Sequence, residues 1–69
     1  MKLIELTVNG TTQSFPQNLN ISQLLEQMDL VGKRVAIERN GEIVPRSQFD
    51  VVLLASGDQL EIVVAVGGG

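Results

Sequence analysis

Apolar and polar positions alternate from the start of the chain. Leu3-Ile4-Glu5-Leu6-Thr7-Val8 is aliphatic and β-branched, which predicts a strand. A period of two puts Ile4, Leu6 and Val8 on one face and Leu3, Glu5 and Thr7 on the other. Asn9-Gly10 follows, a pair that tolerates positive φ at both positions and so suits a two-residue type I′ turn. Thr11 to Phe15 is then the returning strand, and Pro16-Gln17-Asn18 breaks the pattern. Ile21, Leu24, Leu25 and Met28 recur at helical spacing, with Gln23, Glu26, Gln27 and Asp29 on the polar side. Asn20 with Gln23 three positions later reads as a capping box. A helix of about two to three turns is expected, with Gly32 as its stop signal.

Alternation resumes over residues 34–39, with Val35 and Ile37 inward and Arg34, Ala36 and Glu38 outward. Asn40-Gly41 is a second turn signal, and Glu42-Ile43-Val44 a very short strand stopped by Pro45. Residues 46–52 follow neither period; an irregular turn or 3₁₀ segment is expected, with Phe49 as a buried plug. Ser56-Gly57-Asp58 is a turn, and Leu60 to Val66 is the last and most apolar strand. Hairpin, helix, short hairpin and final strand fit an α+β fold: a mixed sheet of four to five strands packed on one helix, the ubiquitin-like β-grasp. In that arrangement the strand after the helix is expected beside the first hairpin. The final strand is expected in the centre, parallel to the first. Residues 1–66 form the expected domain, and residues 67–69 a flexible C-terminal glycine tail.

Composition narrows the chemistry. The 69 residues hold neither Cys nor His, so thiolate nucleophiles, Cys-type zinc sites and imidazole bases are excluded. A domain of this size buries only about 60% of its unfolded surface, which leaves little room for a deep active site. The net charge of −3 lacks the cationic footprint of a nucleic-acid binder, and Phe15 and Phe49 are too few to stack bases. No signal-length apolar run opens the chain. Leu60 to Val66 is interrupted by Glu61 and far shorter than a membrane span. A cytoplasmic setting is the expectation, with no nucleic-acid or membrane partner. Gly10, Gly41 and Gly57 sit at turns, too far apart for a phosphate loop, so no cofactor or metal is expected on this chain.

Gly67-Gly68-Gly69 is the feature that calls for an explanation. Glycines at a chain end are ordinary flexible filler. They are also a thin rod: three residues extend by about 10 Å and, without Cβ atoms, can thread a narrow channel in a partner. The group that would arrive there is the α-carboxylate of Gly69, ionised at neutral pH and a poor electrophile. A partner using ATP and Mg²⁺ could activate it as an acyl-adenylate, which would then accept sulfur or an amine. On the last strand Val63 and Ala65 project opposite to Leu60, Ile62 and Val64. With Ala36 they are candidates for an apolar docking patch leading into the tail. Arg39 and Arg46 read as solvated cations, Asp58 and Glu61 as turn and strand-surface acids, and Phe15, Phe49, Leu24, Leu25 and Met28 as core.

The whole chain resembles the ThiS family, the sulfur carrier proteins of thiamine (thiazole) biosynthesis. The landmarks are Leu6-Thr7-Val8-Asn9-Gly10, the segment 21–27, Asn40-Gly41-Glu42-Ile43-Val44-Pro45-Arg46, and Gly57-Asp58-Gln59-Leu60-Glu61-Ile62-Val63 with the final glycines. The resemblance implies a carrier that is acted on by enzymes and is not itself one. It implies adenylation of Gly69 by a ThiF-type adenylyltransferase, and sulfur relayed from cysteine through a desulfurase persulfide. The resulting thiocarboxylate would serve thiazole synthase (ThiG). Three glycines, where a diglycine is the reactive ending, are a variation within the family. A chain continuing past Gly69 would need processing. The alternatives are a MoaD-like small subunit of molybdopterin synthase, a ubiquitin-like modifier joined to lysine, and a non-catalytic β-grasp interaction domain.

Overall fold

Both Asn-Gly pairs form the turns their residues favour. Asn9 and Gly10 have φ of 50° and 84°, and Asn40 and Gly41 have 52° and 88°. Left-handed backbone at both central positions is what a type I′ hairpin turn requires. In the computed structural model, which describes residues 2–65, the first turn joins β1 (Leu3–Val8) to β2 (Thr11–Pro16). The second joins β3 (Val35–Arg39) to β4 (Glu42–Ile43). Between the hairpins lies α1 (Ile21–Gln27); a 3₁₀ turn (Arg46–Gln48) and β5 (Gln59–Val64) complete the chain.

The sheet order is β2-β1-β5-β3-β4, with β5 parallel to β1 and antiparallel to β3. This is the β-grasp, with the final strand in the centre as expected. One expectation is corrected: β3 does not lie beside the first hairpin, because β5 inserts between β1 and β3. The most apolar strand takes the place where both neighbours shield it, and Leu60 and Ile62 are buried there. β5 is assigned to Val64; Val66, the expected end of this strand, lies outside the described residues.

Leu6, Ile21, Leu24, Ile37 and Leu60 are fully buried between sheet and helix, and Phe15 and Phe49 close the core at its margins. Met28 packs half-buried against it. The helix starts at the expected capping box: Asn20 Oδ1 accepts from the Gln23 N–H at 2.8 Å, and Gln23 Oε1 accepts from the Asn20 N–H at 2.9 Å. Replacing Asn20 with Ala should cost about 1 kcal/mol, read as a lower denaturant midpoint with an unchanged m-value. The helix ends earlier than Gly32 implied. Asp29 takes the left-handed conformation at φ 59°, the Leu30 N–H donates to the Leu25 carbonyl, and the Asp29 N–H donates to that of Glu26. This is a Schellman ending with Asp in the usual Gly position, one of the few other residue types that enter this region readily.

Candidate functional site

The strand that leads toward the glycines is held from both sides by the two turn asparagines. Asn9 Nδ2 donates to the Ile62 carbonyl at 3.1 Å, and Asn9 Oδ1 accepts from the Ile62 N–H at 2.7 Å. A primary amide paired in this way imitates a backbone peptide, so the side chain prolongs the parallel β1–β5 ladder past the turn. On the other side Asn40 Oδ1 accepts from the Gln59 N–H at 2.9 Å, and the Asn40 N–H donates to the Gln59 carbonyl at 2.8 Å. The last described rung is the Ala65 N–H donating to the Arg34 carbonyl at 2.8 Å.

Asp58, at the entry to β5, is the buried polar group of this region. Its side chain meets three donors: Arg39 Nε at 2.8 Å and the Ala55 N–H at 2.9 Å on Oδ2, and Asn40 Nδ2 at 3.0 Å on Oδ1. Burial on its own would raise the carboxyl pKa. The Ala55 N–H, the Asn40 amide and the Arg39 guanidinium together outweigh burial and hold it below the ordinary Asp value. This corrects the reading of Asp58 as a solvated turn acid and of Arg39 as a free cation. The pair is an ion bridge that locks the end of β3 to the start of β5. The Asp58 carboxylate is buried and held in its ionised form, so it acts as a strut and has no proton to exchange near neutral pH.

The sheet face away from α1 carries the expected docking positions. Ala36 stands opposite Val63 in the antiparallel β3–β5 register, so both side chains lie on one face. Both are exposed, Val63 to 62%. Ala65, also exposed, follows Val63 by one period. The structure therefore brings Ala36, Val63 and Ala65 together at the end of the face where β5 departs. Gly67, Gly68 and Gly69 lie outside the described residues.

No catalytic constellation accompanies this surface among the described residues. No group of three or more acidic or metal-ligating side chains converges there. Ser22 donates to Asp50, but the chain has no imidazole to make that pair a nucleophile and base. The contact ties the start of α1 to the loop after the 3₁₀ turn, as does the Ser22 N–H on the Phe49 carbonyl. No helix among the described residues is long and apolar enough to cross a membrane.

Comparison with known proteins agrees with this geometry. The family described as ThiS matches residues 2–69. The sulfur carrier protein ThiS of Bacillus subtilis is 37% identical over 65 residues, covering 93% of this chain and 98% of that protein. A thiazole synthase of Paramagnetospirillum magneticum is 39% identical over 66 residues, covering 96% of this chain. The chain spans only 20% of that relative's length. The crystal structure of the thiamine biosynthesis protein ThiS from Geobacter metallireducens matches with a TM-score of 0.81 at 33% identity, over 96% of this chain and 100% of that one. A match from residue 2 to residue 69, on a β-grasp sheet with an exposed apolar rung beside its last strand, makes this chain a member of the ThiS family.

Proposed function

We propose that this chain is a sulfur carrier of thiamine thiazole biosynthesis, a co-substrate of enzymes, and that the Gly69 carboxyl is the group that carries the sulfur. The observation behind this reading is the reach of the family match, which continues through Gly67-Gly68-Gly69. The chemistry follows from the carboxylate. Attack by Gly69 on the α-phosphorus of ATP, with Mg²⁺ held by a ThiF-type partner, gives the acyl-adenylate and pyrophosphate. A persulfide supplied by a cysteine desulfurase relay then displaces AMP. Cleavage of the acyl disulfide by a second thiol leaves the thiocarboxylate and a disulfide. The thiocarboxylate delivers its sulfur to thiazole synthase (ThiG). A region matching this chain within a protein named thiazole synthase supports that acceptor.

The division of labour is mechanical. Residues 1–66 are the docking body and residues 67–69 the threaded segment. Ala36, Val63 and Ala65 seat on the adenylating partner. Fully extended, residues 66–69 span about 14 Å. Truncating Val63 to Ser should raise KM for the carrier about 10-fold with kcat and melting temperature unchanged. Burial of one aliphatic side chain contributes about 1.5 kcal/mol.

Acceptor choice tests the function. The chain, loaded by a ThiF-type enzyme with ATP, Mg²⁺ and a persulfide source, should support thiazole formation by thiazole synthase. It should support no dithiolene formation by a molybdopterin synthase large subunit. The reverse outcome would make it a molybdopterin carrier, and activity with neither would leave an interaction domain.

A further inference from the structure

The β3–β5 register places two carboxylates face to face. Glu38 stands directly opposite Glu61, one rung from the Ala36–Val63 pair and on the same face of the sheet. Glu38 is also opposite Ile43 on β4, which is 68% exposed. Side chains opposed in this way have Cβ atoms about 5 Å apart, and like charges there are destabilising. Among the described residues neither carboxylate has an ion-pair partner, and Arg39, next along β3, is engaged by Asp58 on the inner side. The face thus reads as an exposed apolar strip, Ile43 with Ala36, Val63 and Ala65, crossed by a doubled negative charge.

A folded chain on its own gains nothing from this pair. A partner that brings a cation does, because a planar guanidinium can donate to both carboxylates at once. We infer that the outer β3–β5 face docks on the adenylating partner through an apolar patch bordered by an arginine or lysine that seats between Glu38 and Glu61. This rests on the sulfur-carrier reading for the identity of the partner. Charge complementarity selects the occupant. A second copy of this chain, itself at −3, would bring four carboxylates together on the same face. The apolar rung gives the contact its adhesion, and the acid pair gives it register and a salt-dependent rate of encounter.

The test is the affinity of the full chain for a ThiF-type adenylating enzyme, measured by anisotropy of a labelled carrier from low to high NaCl, with pyrophosphate exchange and thermal melting alongside. Wild-type affinity should fall with salt. The double variant Glu38→Gln and Glu61→Gln should bind about 10-fold more weakly at low salt, lose most of the salt dependence, and melt at the wild-type temperature or above. Retained stability with lost affinity is what a merely structural role would not produce. Equal affinity and equal salt response in the double variant would overturn the inference, as would absence of wild-type binding. Charge-dependent binding without pyrophosphate exchange would support the docking inference and contradict the carrier reading, so the two fail separately.

Discussion

A chain shortened to end at Gly68 loses more than about 100-fold in kcat/KM for carrier-dependent pyrophosphate exchange, while its melting curve overlays that of the wild type. In the proposed function the Gly69 carboxylate is the reacting group, and removing one residue would withdraw it by about 3.5 Å from a body docked elsewhere. Reacting atoms must approach to about 3 Å in a defined orientation, and a displacement of 1 Å already costs about 100-fold. Pulling the body inward to compensate would break its contacts at Ala36, Val63 and Ala65. Adding one alanine after Gly69 should be as damaging, because the new carboxylate would overshoot and its Cβ would have to enter the narrow channel proposed for the glycines. Restoring Gly69 restores the rate. Exchange at the wild-type rate in the shortened chain would remove Gly69 from the site.

Replacement of Asp58 by Ala should lower stability by about 3 kcal/mol, at the lower end of the effect of breaking a buried ion pair, since the Arg39 side chain keeps 30% of its surface in water. In a domain of this size that corresponds to a fall in melting temperature of about 15 °C. Three donors lose their shared acceptor at once: the Arg39 guanidinium, the Asn40 amide and the Ala55 N–H. The same carboxylate gives the protein an acid limit. Its folded pKa lies below the unfolded value, so its stabilisation is complete above the unfolded pKa of about 3.9 and is lost as pH falls through the folded pKa. Melting temperature attributable to Asp58 should be flat from neutrality to about pH 5 and decline below about pH 4. Asp58→Asn should start lower and show a shallower acid decline. Parallel acid declines in Asp58→Asn and the wild type would show that the bridge contributes nothing to pH dependence.

Local features of this fold were legible in the sequence because each is decided by neighbours along the chain. Asn9-Gly10 and Asn40-Gly41 carry their own backbone preference, Asn20 and Gln23 cap a helix they both belong to, and period-two alternation placed Val63, Ala65 and Ala36 on one exposed face. What escaped depends on partners far away in sequence. Asp58 looks like a turn residue until Arg39, 19 positions earlier, is seen to meet it. Asn9 looks like a pure turn former, yet its amide also pairs with Ile62, 53 positions on. The opposition of Glu38 and Glu61 is a property of register, and either glutamate alone is an ordinary strand-surface acid. The helix stop was misplaced for a different reason. Gly32 is the stronger signal by type, but the Schellman bonds from Leu30 and Asp29 close the helix first, with Leu30 packed against the core.

Intact-protein mass spectrometry decides whether the Gly69 carboxyl carries sulfur: the chain is incubated with ATP, Mg²⁺, a ThiF-type enzyme and a persulfide source, beside the chain shortened by Gly69. The expected result is a mass gain of one oxygen replaced by sulfur, located in the C-terminal peptide and absent from the shortened chain. An unchanged mass, with an enzyme shown to load its own carrier, or a gain located in any other peptide, would contradict it.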